Sequence, residues 1–368
     1  MEMDRHRRLR RGIAALELLL LLIALAALLY LRWEQPPTPA IEPAEQSDRA
    51  AAQKTDETEE TQARIAAEAV VRGRKQGVYT ILLAGRDEAS GCTDTILLAR
   101  LDTRQHSLDL VSIPRDTLIN LAWPVRKLNA VFAGAVNTGK DPVEALRREL
   151  RRLCGFSPDC CAVADLTAFA EAVDLIGGIE YELPEAMHYD DPTQDLHIHL
   201  DAGARRLNGE EAVGLVRYRA GYLNGDLDRL EVQQRFLDAA IGQVLSLGSV
   251  PRLPELAELI AAHTDTDLTA ANIAWLLRQT LQCRREDVRF HIAPTTPATV
   301  AGLSYTLLEP EAWISMINDC LNPYAAPITR ENLDLVYHDA DGYHATSGDL
   351  RGADYYSNEE FGIRRSEW

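Results

Sequence analysis

The sequence predicts a mixed α/β (α+β) domain, a three-layer sandwich in which helices flank a central mixed β-sheet, carried behind an N-terminal transmembrane helix. Three observations predict it. An unbroken apolar run follows a basic N-terminus, short β-rich runs begin at Val78, and amphipathic helical segments alternate with further strands. With 368 residues, 46% of them hydrophobic, the chain is long enough to bury a sizeable core.

Residues 1–12 hold five arginines (Arg5, Arg7, Arg8, Arg10, Arg11) against Glu2 and Asp4, a net of +3, so the remainder carries −21 of the overall −18. A body that acidic is not drawn to nucleic acid by charge, and none is expected as a partner. Ile13 to Leu31 follow as an apolar run, and helical residues at ~1.5 Å each make it about 28 Å long, close to a ~30 Å hydrocarbon core. Glu17 lies one turn in, where it can snorkel, and Tyr30 with Trp33 supplies an aromatic anchor at the far end. The flanking arginines place the N-terminus in the cytoplasm and the large domain outside, in a single-pass cell-membrane arrangement. A cleaved signal peptide is disfavoured: the run exceeds a typical ~7–15-residue h-region, and the Ala24–Ala26 triplet lies inside it.

Residues 32–77 read as a linker: Pro36, Pro37, Pro39 and Pro43 give an extended spacer, and Glu45 to Lys75 a solvated helical stalk whose role is reach. The main domain is expected over 78–330. Its first strands are read at 78–85, 95–102 and 106–113, and helices at 141–153 and 165–176, the first with Asp141 as cap, Pro142 in its first turn and Gly155 beyond its end. Strands near 179–183 and 196–200, a helix at 208–218 and another at 228–247 come next. After Pro251 the chain reads as mostly helical with a late strand at 287–293, and residues 331–368 as a C-terminal tail, loosely packed over 339–368. No internal repeat is evident.

Six cysteines, at 92, 154, 160, 161, 283 and 320, form no C-x-x-C pair and no zinc-module spacing, so structural thiols or disulfides are expected rather than a metal centre. Cys160 and Cys161 are adjacent in a strand and face opposite sides.

Four charged clusters stand out. In AGRDEASGCTDT, Asp87 and Asp94 flank a turn between two strands: two carboxylates on facing strand ends suit a hard cation, whereas the plainer reading is aspartates capping turn amides. In SIPRDT, Pro114 ends a strand and sends Arg115 and Asp116 off the sheet edge, where an arginine can fork onto phosphate or merely pair with its neighbour. RKLNA offers Lys127 and Asn129. In VRYRAGYLNGDLDRLEVQQRF, Arg217 and Arg219 close one helix, and Arg229 and Gln233 share a face of the next. Such a corner aims guanidiniums at one small volume, calling for an anion or for nearby acids such as Asp226; solvated helix-face charge is the plain alternative. His197 and His199 share a strand face and suggest a metal pair, but a half-exposed strand explains them as well and no third ligand is evident.

Taken in order, DxxxxxxDTI, SIPRDT, KLN, DLTAFAEAVDLIGGIEYELP, YDDPTQDLHIHL, LNGEEAV and RYR…GDLDRxxxQQ strongly resemble the LytR-CpsA-Psr family of cell-wall glycopolymer transferases, from about Thr80 to Val244. The resemblance implies a magnesium-assisted phosphotransferase that moves a glycan phosphate, such as a teichoic acid or capsular polysaccharide, from an undecaprenyl-pyrophosphate carrier onto a peptidoglycan acceptor hydroxyl. It further implies that Asp87 and Asp94 hold Mg2+, that Arg115, Lys127, Arg217, Arg219, Arg229 and Gln233 bind the pyrophosphate, and that Arg115 serves catalysis. Asp116 and Asp226 are the candidate bases. Apolar helix faces including Leu230 and Phe236 line a lipid-tail cavity or belong to ordinary core. One departure is plain: many relatives carry a phosphate-binding arginine where Cys92 stands, and Arg86 is the substitute in reach. A non-catalytic polyprenyl-phosphate-binding or scaffold protein is the competing class. Transcriptional attenuation is opposed by the predicted topology, which leaves about a dozen residues inside.

Overall fold

The computed structural model describes residues 34–39, 73–87, 91–191, 196–218, 226–246 and 253–357, so the predicted membrane span at 13–31 lies outside the described residues. Among the described residues, no helix is long and apolar enough to cross a membrane.

A six-stranded mixed sheet forms the centre. Its members are β1 (Val78–Arg86), β2 (Thr93–Asp102), β3 (Ser107–Ser112), β4 (Cys160–Asp165), β9 (Thr264–Thr266) and β10 (Val288–Ile292), in the order β10-β3-β2-β1-β4-β9. β1 runs antiparallel to β2 and parallel to β4, and β3 runs antiparallel to β2 and parallel to β10. The carboxyl ends of β1, β3, β4 and β10 therefore share one edge with the start of β2. Strand alternation sends successive residues to opposite cores: Leu82 and Cys161 join one cluster, Ile81 and Cys160 another. The two cysteines thus face opposite sides as predicted.

Helices α1 (Ala130–Asn137) and α2 (Pro142–Cys154) cover the first face through Phe132, Leu146 and Leu150. The α2 ends follow the predicted signals: the Asp141 side chain accepts from the Glu144 N–H at 3.1 Å, and Gly155 ends the helix at φ 73°. Helices α3 (Leu166–Leu175), α4 (Gly209–Arg217), α5 (Asp226–Ser246), α6 (Leu253–His263) and α7 (Ala270–Thr280) complete the helical set as far as Thr280; α5 and α7 pack on the second face through Ile241, Leu245, Trp275 and Leu276. The α3 and α4 helices meet at Gly209, where a Cβ would lie 2.3 Å from the Ala170 carbonyl oxygen, so only glycine fits. That close approach sets the position of Arg217 at the end of α4.

Two hairpin-like pairs stand apart from the main sheet: β5 (Ile179–Leu183) with β8 (Gly203–Leu207), and β6 (Met187–Asp191) with β7 (Leu196–Leu200). The expectation of a mostly helical region after Pro251 needs correction. β10 is the late strand expected at 287–293, but β9 also joins the main sheet, and β11 (Thr295–Val300) pairs with β12 (Leu303–Leu308). The expected loose tail is also corrected. β13 (Val336–Asp339) and β14 (Gly342–Ala345) form a further pair, Leu333 and Leu335 sit in the main core, and the Asn120 side-chain amide donates to Asp334 and to the Asp349 carbonyl, each at 2.7 Å. Buried apolar side chains at Leu333, Leu335, Val336, Ala345 and Tyr355 drive this packing; the tail's glycines and aspartates had masked them in the sequence.

The start of the linker is not free spacer either. Glu34 pairs with Arg278 of α7 at 2.6 Å, and the Asn272 side-chain amide donates to the Gln35 carbonyl at 3.0 Å.

The parallel β1–β4 pairing is pinned by Asp159, buried just before β4, which accepts from the Thr80 N–H at 2.7 Å, from the Thr80 hydroxyl at 2.9 Å and from Arg74. Removing one side of such a buried set leaves the other uncompensated, so Asp159→Ala is expected to cost about 3–5 kcal/mol, read as a lower denaturant midpoint at unchanged slope. A loss below about 1 kcal/mol would refute this role.

Candidate functional site

At the shared sheet edge the β1–β2 register slips between Gly85 and Arg86, and the loop is closed by the Asp87 N–H donating to the Cys92 carbonyl at 2.9 Å and the Gly91 N–H to the Asp87 carbonyl at 2.8 Å. Asp87 and Asp94 thereby stand on adjoining strand ends. Two carboxylates there are an oxygen donor set that suits Mg2+ in kind, with water and phosphate completing the shell.

Beyond β3, Pro114 ends the ladder as predicted, and the Thr117 hydroxyl donates to the Pro114 carbonyl at 2.6 Å, closing a tight turn that projects Arg115 and Asp116. The RKLNA segment, uninformative in the sequence, locks onto this turn. The Asn129 N–H donates to the Arg115 carbonyl and the Leu128 N–H to the Thr117 carbonyl, both at 3.0 Å, while the Thr93 N–H donates to the Asn129 carbonyl at 3.1 Å.

These backbone bonds align four charges in a row. Arg115 Nη1 lies 2.8 Å from Asp94 Oδ1 and Arg115 Nε 4.0 Å from Asp116 Oδ1, which in turn is 3.0 Å from Lys127 Nζ. All four side chains are partly buried, so their attraction is screened less than on an open surface. Lys127 Nζ also sits 5.6 Å from the centre of the Tyr305 ring.

At the same end of the sheet the strands and helices form a cavity of about 240 Å³, lined by Leu97, Leu110, Phe169, Phe236, Ala240 and Phe290 among others. Gly85, Thr95 and Ser112 also line it. Thr95 follows Asp94 and Ser112 precedes Arg115 by three residues, so the charged row and the cavity lie at the same end of the sheet. Phe236 both lines the cavity and belongs to a buried core cluster, so the two readings of that helix face coincide there. Val216, beside Arg217, lines the same space and places the end of α4 at its rim. Arg219 lies outside the described residues, and α5 is described at Asp226, Arg229, Leu230 and Gln233 as backbone only, so of the predicted arginine corner the description covers the place of Arg217, at the end of α4 next to Val216.

Arg86 does not turn toward this cavity. Its guanidinium lies 3.6 Å from Asp265 and 5.8 Å from the Phe132 ring centre, on the α1 side of the sheet. All six cysteines are free thiols. Burial pushes Cys161 up to about 12 and Cys283 to about 11, which keeps both protonated and inert near neutrality.

Sequence reasoning missed the clamp behind Lys127. Arg126 is buried, donates from Nη1 to the Arg351 carbonyl at 2.6 Å and from Nη2 to the Gly352 carbonyl at 3.2 Å, and lies 4.1 Å from the Tyr355 and 4.8 Å from the Tyr356 ring centres. Tyr305 and Tyr355 join hydroxyls at 2.7 Å. No local signal in the sequence marks this cluster, because its partners lie more than 170 residues apart.

The described residues thus combine a mixed sheet, a row of paired carboxylates and cations at one of its edges, and an apolar cavity at the same end. The chain belongs to the LytR_cpsA_psr family, whose pattern it matches over residues 44–319. It is similar to the polyisoprenyl-teichoic acid–peptidoglycan teichoic acid transferase TagV of Bacillus subtilis (strain 168), at 26% identity over 205 residues, 53% of this chain and 51% of TagV. It is equally similar to the regulatory protein MsrR of Staphylococcus aureus (strain COL), at 26% identity over 54% of this chain and 59% of MsrR. The chain thus spans little more than half the length of these curated relatives. In fold it resembles the crystal structure of B. subtilis TagV (TM-score 0.56, 19% identity, 67% of this chain and 96% of that one). A structure of TagT bound to LIIa-WTA is similar as well (TM-score 0.55, 20% identity, 68% and 92%).

Proposed function

We propose that this chain is a phosphotransferase that moves a glycopolymer phosphate, a teichoic acid, capsular or other wall polysaccharide, from undecaprenyl pyrophosphate to a peptidoglycan hydroxyl at the outer face of the cytoplasmic membrane. The carrying observation is the charged row Asp94–Arg115–Asp116–Lys127 at the same end of the sheet as an apolar cavity. A polyprenyl pyrophosphate needs both chemistries side by side. At about 240 Å³ the cavity is below the ~300–1,000 Å³ of pockets that enclose drug-sized ligands, so it takes only part of a long lipid tail.

In the row each cation is held by a carboxylate. Pyrophosphate oxygens offer Arg115 and Lys127 stronger, more highly charged partners, with the guanidinium fork spanning two oxygens. A Mg2+ held by Asp87 and Asp94 would neutralise part of the pyrophosphate charge and leave Arg115 to turn from Asp94 to the phosphates. The same cations stabilise charge developing on the departing lipid phosphate. Asp116, between Arg115 and Lys127, positions both, and Asp116 and Asp226 are the carboxylates proposed for the acceptor hydroxyl's proton. Arg217, Arg219, Arg229 and Gln233 complete the proposed phosphate set.

Single-pass anchoring through 13–31, with the N-terminus cytoplasmic, is part of the proposal. The docking of Glu34 and Gln35 on α7 supports a body seated a few residues from the bilayer, within reach of a lipid-borne substrate.

Mass spectrometry of lipid co-purifying with the full chain tests the reading. Polyprenyl phosphate or pyrophosphate is expected in the unaltered protein, and Ala240→Trp, which fills the cavity, is expected to reduce it at least about tenfold, equivalent to ~1.4 kcal/mol. No polyprenyl species in the unaltered protein would count against the proposal. One observation favours a second reading, a carrier-binding scaffold: Cys92 supplies no guanidinium and Arg86 is engaged elsewhere. Retained lipid without metal-dependent turnover would select it.

A further inference from the structure

The structure assigns a divalent transition-metal site to the outward face of the β6–β7 hairpin, with Asp190, His197 and His199 as ligands. Cross-strand register sets Asp190 opposite His197 and His188 opposite His199, so period-two alternation puts all four side chains on one face. His197 Nδ1 lies 2.6 Å and His199 Nε2 3.1 Å from the same oxygen, Asp190 Oδ1, and the three ligand atoms fall within 4.8 Å of one another. Ligand atoms about 2.1 Å from a tetrahedral ion lie roughly 3.4 Å apart, so small ring rotations suffice to receive one.

The sequence lacked this third ligand because Asp190 is on the partner strand and its side-chain direction depends on register. Two imidazole nitrogens and one carboxylate, without thiolate, suit Zn2+, Ni2+ or Cu2+ better than Mg2+. All three side chains are about half exposed, leaving room for water or a fourth ligand; the His188 ring lies 5.8 Å from that of His199. Behind them the hairpin is firm. Met187, Ile198 and Leu200 are buried in the core that holds Leu215 of α4 and Phe236 of α5. An ion joining the two strands would therefore stiffen the surface on which α4 and α5 rest.

Among the described residues, one other trio of comparable spacing exists, Asp109, His291 and Cys320. Charge argues against it. Asp109 is already held by Arg289 at 2.9 Å and Arg100 at 3.4 Å, and two guanidiniums would repel a cation.

Calorimetric titration of Zn2+ into the chelator-stripped full chain, carrying no histidine tag, tests the assignment. One equivalent is expected to bind with micromolar or tighter affinity, and both Asp190→Asn and the double variant His197→Ala/His199→Ala are expected to weaken it about 100-fold or more. Their metal-free melting temperatures should match the unaltered chain, since the side chains are half exposed. Absence of saturable binding, binding unchanged in both variants, or binding lost instead in Cys320→Ser would overturn it. None of these outcomes depends on transferase activity.

Discussion

Replacing Arg115 with alanine is expected to lower turnover of a polyprenyl-pyrophosphate donor about 10²–10³-fold, the loss that follows removal of one well-placed electrostatic group. Arg115 faces Asp94 on one side and Asp116 on the other, so it is the cation best placed to pass from carboxylate to phosphate. Its backbone carbonyl, which receives the Asn129 N–H, is untouched by the substitution, so the turn should persist. Asp94 is partly solvated, and losing its partner should cost at most about 1 kcal/mol of stability. Arg115→Lys should recover only a fraction of the rate, because an ammonium cannot span two phosphate oxygens. Steady-state kinetics beside a melting curve separates the effects. Turnover within threefold of the unaltered chain would remove Arg115 from the mechanism.

Arg126→Ala should act through stability first. The guanidinium is buried, donates to two carbonyls of the C-terminal segment and lies against two tyrosine rings. Truncation strands those carbonyls and removes the packing, at roughly 3–5 kcal/mol. Because Lys127 is the next residue, its place beside Asp116 should loosen too, and turnover should fall along with resistance of the C-terminal segment to proteolysis. The tyrosines give a second handle. Burial, followed by the Tyr355 hydrogen bond, raises Tyr305 well above an ordinary phenol, and burial raises Tyr356. A raised folded-state value means this stabilisation is complete below about pH 10 and is lost as pH climbs above it. Alkaline unfolding that sets in earlier in Arg126→Ala than in the unaltered chain is the expected signature; coincident curves, with unchanged stability near neutrality, would rule out the clamp.

The charged segments at the sheet edge and the clamp differ in how legible they were. Strands at 78–85 and 179–183, the α2 caps and the exit at Pro114 follow from alternation, capping and proline geometry, which act over a few residues, and the sequence alone located them. Asp94, Arg115, Asp116 and Lys127 were each named from local motifs, and the family pattern ordered them. Their joining into one row was not readable, because it rests on the docking of 127–129 against 115–117 and Thr93. Cavity walls were hidden for another reason: Phe169 and Phe290 carry the same apolar signal as any core residue, and only incomplete packing distinguishes them.

What the amino-acid sequence determined by itself was therefore the run of elements, the charged residues at their ends, the opposite facing of Cys160 and Cys161 and the family to which these belong. Tertiary structure alone decided that residues 333–356 are core and clamp rather than loose tail, that Arg86 faces away from the cavity, and that Asp190 meets His197 and His199. Caps and strand alternation are set by neighbours in the chain. Contacts such as Arg126 to Gly352, 226 residues apart, exist only once the whole chain has packed.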